Sequence, residues 1–157
     1  MRRLMAILLV KPNNEIRNGP FWTALVLRLI GVGLLAWIGW VHWYLWHSGY
    51  KNIHFPGQPP LGPFFLVDAI AGVALALVLL AWPRVVTGIV SAGFAAGTLA
   101  ALLISLNYGL FGFYESTQAN FVVQTLWYEA IALVILAAWT LLATRAAFSA
   151  TRDRANT

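Results

Sequence analysis

Five acidic residues occur in this 157-residue chain, and two of them, Asp68 and Glu129, stand inside long apolar runs. A charge in hydrocarbon costs about 2.5 to 3.5 kcal/mol on insertion scales, so such side chains face protein or water and often carry a task. Asp68 lies early in the second apolar run and Glu129 early in the fourth; at 1.5 Å per helical residue both sit roughly 7 to 12 Å below the helix end. His42 reaches a comparable level on the first run, so three titratable groups from three helices could meet. A structural role would have Asp68 neutralise backbone near a helix N-terminus, Glu129 bond a Tyr or Trp, and His42 sit at the interface. A functional role would be a polar pocket opening outward, with His42 or a ligand as partner for the acids, and a proton or ion path is a third reading.

Metal chemistry has candidates too, because His42, His47, His54, Asp68, Glu115 and Glu129 all fall toward one side. His42 and His47 are five residues apart, which turns them about 140° from each other on a regular helix. They share a ligand face only if the helix unwinds, leaving His47, His54 and Glu115 as metal candidates carried by loops that could fold over. Nothing has the HExxH spacing of a zinc hydrolase. Haem held by two histidines needs them on facing helices, whereas all three histidines lie on or just after one. There is no cysteine, which excludes disulfides, thiolate metal sites and thiol redox chemistry. No cofactor is assigned by these residues, and without a catalytic motif the reading leans away from an enzyme.

The elements that must position these groups are membrane spans. Hydrophobic residues make up 61% of the chain and charged ones 10%, with a mean hydropathy of +0.76, outside the range of water-soluble domains. Apolar runs at about 21–46, 63–82, 85–107 and 121–144 each approach or exceed the 20 residues a bilayer demands. Gly19-Pro20 opens the first run, Ser48-Gly49 closes it, Pro63 suits a first helical turn, Pro83-Arg84 separates the second and third, and Arg145 stops the fourth. The expected fold is a single all-α transmembrane domain over 1–157, an up-down-up-down four-helix bundle.

Basic residues give direction, because Lys and Arg in short loops are retained on the cytoplasmic side. Arg2, Arg3, Lys11, Arg17, Arg84, Arg145, Arg152 and Arg154 fall on one side and Lys51 alone on the other. Both ends are therefore expected inside, with 1–20 and 145–157 cytoplasmic and the loops 47–62 and 108–120 outside, in a bacterial plasma membrane. The charge of +5 is explained by orientation, and no nucleic-acid patch is present. Met1 to Val10 begins like a signal peptide, but its short apolar part and lack of a small-residue cleavage site read instead as a surface helix. Arg28, two turns into the first span, can snorkel to the inner headgroups.

Aromatic residues crowd the outer half. Trp37, Trp40, Trp43, Tyr44, Trp46 and Tyr50 lie there on the first span and loop, with Phe111, Phe113, Tyr114, Trp127 and Tyr128 level with them. They read either as an interfacial belt or as the wall of a pocket for a flat or lipid-like ligand. On the pocket reading, the ligand-binding residues are His42, Asp68, Glu129, Trp43, Trp46, Trp127 and Tyr128. Small residues allow close helix approach: Gly88, Ala92, Ala96 and Ala100 with the Gly93/Gly97 pair on the third span, Gly72 and Ala76 on the second, and Gly31, Gly33 and Gly39 on the first. Packing within one bundle is the expectation.

Phe64 to Ala71 and Thr125 to Ala132 share an acid-Ala-Ile-Ala pattern at an offset of 61 residues. Applied throughout, that offset describes a parallel two-hairpin pseudo-repeat, although Ala and Ile are common enough for coincidence to fit. The outer loop 47–62 together with Pro63 holds four prolines and is expected to be a rigid cap resting on Ile53, Phe55 and Leu61. The second outer loop combines turn glycines with packing aromatics in the same way.

The runs Leu45-Trp46-His47-Ser48-Gly49-Tyr50, Leu61-Gly62-Pro63-Phe64-Phe65-Leu66-Val67-Asp68-Ala69-Ile70-Ala71-Gly72 and Gly109-Leu110-Phe111-Gly112-Phe113 resemble a group of uncharacterised small four-helix membrane proteins common in actinobacteria. That resemblance covers about 21–145 and implies no activity. In size and helix number alone the chain is also similar to DoxX-like membrane proteins, some implicated in quinone-linked redox complexes. The functional expectation is an accessory subunit of a larger membrane complex, or a binder of lipid or another lipophilic molecule in an outward-facing polar and aromatic pocket. A membrane oxidoreductase or metal-dependent enzyme using the outer His and carboxylates, and a small proton-coupled transporter, are the alternatives.

Overall fold

In the computed structural model, residues 20–153 are described, together with residue 8. Four long helices account for most of them: α1 over Pro20–His47, α2 over Gly62–Ala81, α3 over Val85–Asn107 and α4 over Val122–Asp153. Each is long and apolar enough to cross a membrane. At 1.5 Å per residue α2 spans about 30 Å, one hydrocarbon thickness, whereas α1 and α4 reach well beyond it. Arg145 does not end the fourth helix, which runs on to Asp153. An arginine limits how far a helix stays in hydrocarbon but is itself a good helix former, and Ala147 beyond it is fully buried in the core. The expected surface helix over Met1 to Val10 lies outside the described residues apart from Leu8, which packs against that core.

Neighbouring helices run antiparallel, as their close approaches show. A Cβ on Gly72 would stand 2.8 Å from the Gly39 amide nitrogen and 3.0 Å from the Leu35 carbonyl, so α1 and α2 cross backbone to backbone where only glycine fits. Gly31 receives Leu136 of α4, and Gly88 of α3 receives Trp139 and Thr140 of α4. These four glycines match the expectation for small residues in spans. Gly33, Gly93 and Gly97 do not: nothing lies within 4 Å of a Cβ at any of them. The buried face of α3 is the one carrying Gly88, Ser91, Ala95 and Thr98; of the GxxxG pair, Gly93 is exposed and Gly97 borders an open cavity, so neither serves as a packing seam.

The four seams are unequal. α1 packs along α2 and along α4, and α3 along α4, while α2 and α3 touch sparsely. Trp82, Pro83 and Arg84 join α2 to α3, where Thr87 accepts from the Arg84 amide at 3.0 Å and caps the new helix. That tight connection holds the two helices together at one end, and they separate toward the other. A strict two-hairpin pseudo-repeat would make the α2–α3 seam match the α4–α1 seam, and this inequality breaks the symmetry.

The core occupies the half of the bundle nearer the α2–α3 connection. Leu35 and Ile38 of α1, Ala76 and Leu79 of α2, Val85 and Ala95 of α3, and Ala132, Leu136 and Trp139 of α4 close it completely. At the opposite end the two long loops fold inward. Leu61 is buried and its amide donates to the Ile53 carbonyl at 3.1 Å, so the proline-rich loop is a cap as its composition suggests. Tyr50 lies in a short 3-10 turn, Tyr50–Asn52, and its hydroxyl donates to Glu115 at 2.9 Å, fastening one loop to the other.

Candidate functional site

Beneath these loops lies a cavity of about 350 Å³, within the range of small-molecule sites. Every helix contributes to it at helical spacing: His42 and Leu45 from α1, Phe65 and Asp68 from α2, Thr98, Ala101, Leu102 and Ser105 from α3, and Val122, Thr125 and Glu129 from α4. Its floor is the packed core, and it lies behind the seam where α2 and α3 part. The three titratable groups expected to meet, His42, Asp68 and Glu129, do line one chamber.

His42 is held by its own helix. Its Nδ1 lies 2.9 Å from the Ile38 carbonyl, and since a carbonyl only accepts, Nδ1 carries the proton. The other ring nitrogen, Nε2, then faces Asp68 Oδ2 at 3.8 Å. Glu129 is 1% exposed, and no protein group hydrogen-bonds its Oε2. The Thr98 hydroxyl lies within reach of both the Glu129 carboxyl and the Ala95 carbonyl, at 3.2 Å, and its single proton serves one of them at a time. Thr125, a turn before Glu129 on the same face, is likewise buried with its hydroxyl unpartnered. Buried polar groups are nearly always bonded, so two orphans on one wall single it out.

The aromatic lining differs from the expectation. Trp43 and Trp127 are exposed, Trp43 stacking on His47 at 5.7 Å. Trp46 lies under the Lys51 ammonium, and Tyr128 packs on Trp37 at 5.1 Å along the α1–α4 seam. None of the four borders the cavity; they form an outward belt. Phe64, Phe65, Phe111 and Phe113 line it instead. The division follows from chemistry, since Trp and Tyr carry a polar atom that seeks interfacial water and Phe does not. The overlooked polar members, Thr98, Ser105 and Thr125, were signalled by their spacing with Leu102, Val122 and Glu129 on two helix faces.

Phe111 marks the mouth. It adopts φ 51° and Gly112 φ 81°, a tight turn closed by reciprocal bonds of 2.8 and 2.9 Å between Leu110 and Phe113. A left-handed phenylalanine costs about 1 kcal/mol or more and persists where its surroundings compel it. Here the ring stacks on Phe64 at 5.1 Å, laying one aromatic pair across the gap between α2 and the second loop.

The metal candidates do not assemble. His47 stacks on Trp43, His54 is exposed with Nδ1 near the Asn52 carbonyl, and Glu115 accepts from Tyr50 and from the Ser116 amide. Among the described residues no three His, Asp or Glu side chains are grouped to hold a metal ion. Tyr50, outside the helices that could span, has its hydroxyl pKa pushed up by burial and by the neighbouring Glu115 carboxylate.

No family model matches the chain, and neither a curated protein nor a solved structure does.

Proposed function

We propose that this is a bacterial plasma-membrane protein that binds a lipophilic molecule in the chamber between α2 and α3, its polar group toward Glu129 and its apolar body along the phenylalanines. The observation that carries this reading is Glu129, buried on the wall of a sizeable cavity with an oxygen that no protein group satisfies. Such a group is costly to keep, and a bound molecule offsets that cost. The parting of α2 and α3 gives a route from the bilayer. Arg84 and Arg145 lie toward the far end and Lys51 at the cavity end, which supports a chamber facing out of the cell under the positive-inside rule.

The test is extraction from native membranes into lipid nanodiscs, followed by mass spectrometry of bound small molecules. Ala101→Trp, which fills the chamber from α3, should retain the fold by circular dichroism and lose the species carried by the wild type. Identical contents in both proteins would sink the reading.

A further inference from the structure

The chamber's polar atoms restrict what kind of molecule fits. Glu129 Oε2 is unsatisfied, Asp68 brings a second carboxyl, and the single Thr98 hydroxyl proton is divided between the Ala95 carbonyl and the Glu129 carboxyl. His42 has committed Nδ1–H to the Ile38 carbonyl. Ser105 donates to the Phe113 carbonyl at 3.2 Å. Among the described lining residues the only hydrogen-bond donor with no partner is the Thr125 hydroxyl, and the set contains neither lysine nor arginine. Lys51 sits over Trp46 and the Arg84 guanidinium over Trp82, both away from the chamber. His42, the one imidazole on the wall, is set against Asp68, which leaves Glu129 without any basic side chain.

A phosphate or carboxylate head would meet two carboxyl groups and no basic side chain to balance its charge. A positively charged, hydrogen-donating head meets the reverse: acceptors in excess, a buried carboxyl lacking a counter-charge, and phenyl faces that attract cations. Resting on the binding reading above, we infer that the ligand is a lipophilic amine, an ammonium head on an apolar body, with the head between Glu129 and Asp68 and the body running past Phe65 toward the Phe64–Phe111 stack. Two sources carry an ammonium on a lipophilic molecule, a free long-chain amine and the headgroup of an ethanolamine lipid, the latter fitting only with its phosphate held outside the carboxyl-lined wall.

Three probes sharing a dodecyl chain, the amine, the alcohol and the phosphate, isolate the head. The full chain is placed in nanodiscs of choline lipid, and occupancy is read by native mass spectrometry at equal amounts of probe per lipid. Dodecylamine should occupy the wild type at least about tenfold better than the alcohol or the phosphate, the scale of a charge-assisted hydrogen bond. Glu129→Gln should bring the amine down to the level of the alcohol while leaving alcohol binding in place, which shows that the chamber is still folded. Asp68→Asn should reduce the preference in the same direction. Ethanolamine lipid added to the nanodiscs displaces the amine if the natural head is a lipid's and leaves it bound if a free amine is the cargo. An alcohol or phosphate that binds as well as the amine, or a preference surviving both substitutions, overturns the inference and leaves the chamber as a general apolar site. If no probe exceeds its occupancy of Ala101→Trp, the binding reading itself falls.

Discussion

At the scale of residues, the chamber holds polar groups that cost the empty fold stability. Glu129 is the clearest case, because a buried carboxyl with an unsatisfied oxygen is worse for the empty protein than a methyl-bearing side chain of similar volume. Glu129→Leu should therefore raise stability, by roughly 1–3 kcal/mol, in denaturant unfolding monitored by circular dichroism, and abolish retention of any cargo. A variant less stable than the wild type would mean that Glu129 has a structural partner. That the three titratable groups meet was legible in sequence, since depth along a helix follows from counting residues. Which aromatic rings join them was not, because the count says nothing about where around the bundle each ring points. Trp43 and Phe65 lie at similar depth, yet one faces outward and the other the chamber.

At the scale of elements, the two long loops meet at Tyr50, whose ring packs on Phe113 at 5.7 Å and whose hydroxyl donates to Glu115. Tyr50→Phe should cost about 1 kcal/mol at neutral pH, the usual worth of such a bond. Because the folded state keeps the Tyr50 hydroxyl protonated above its ordinary value, this contribution is fully present below about pH 10 and lost as pH climbs from there toward the folded value. Unfolding series at rising pH should show wild type and Tyr50→Phe converging above about pH 10; a constant gap would count against the linkage. The cap itself was foreseeable from its prolines and apolar residues. Helix ends were less so: the run through Arg145 to Asp153 continues because alanines there pack on the core, a tertiary fact that hydropathy does not carry.

At the scale of the whole molecule, four helices and their alternation follow from hydropathy and short connections, whereas the unequal seams do not. Span lengths fix how many helices cross, but only packing at Gly39, Gly72 and Gly88 decides which pairs close and which pair parts. Orientation is open to direct measurement, and the absence of native cysteine makes single-cysteine labelling clean. His54→Cys in the first loop should react with a membrane-impermeant maleimide on intact cells, and Ser149→Cys should react only after lysis; the opposite pattern would invert the chamber. The packed half beneath it has a consequence for what kind of work the protein can perform. Leu35, Ile38, Leu79 and Leu136 close the chamber on the core side, so a molecule bound there would leave by the side it came in. On the proposed binding reading, such a protein would exchange its molecule only through the open end and the α2–α3 gap, and would serve as a reservoir or presenter rather than a conduit.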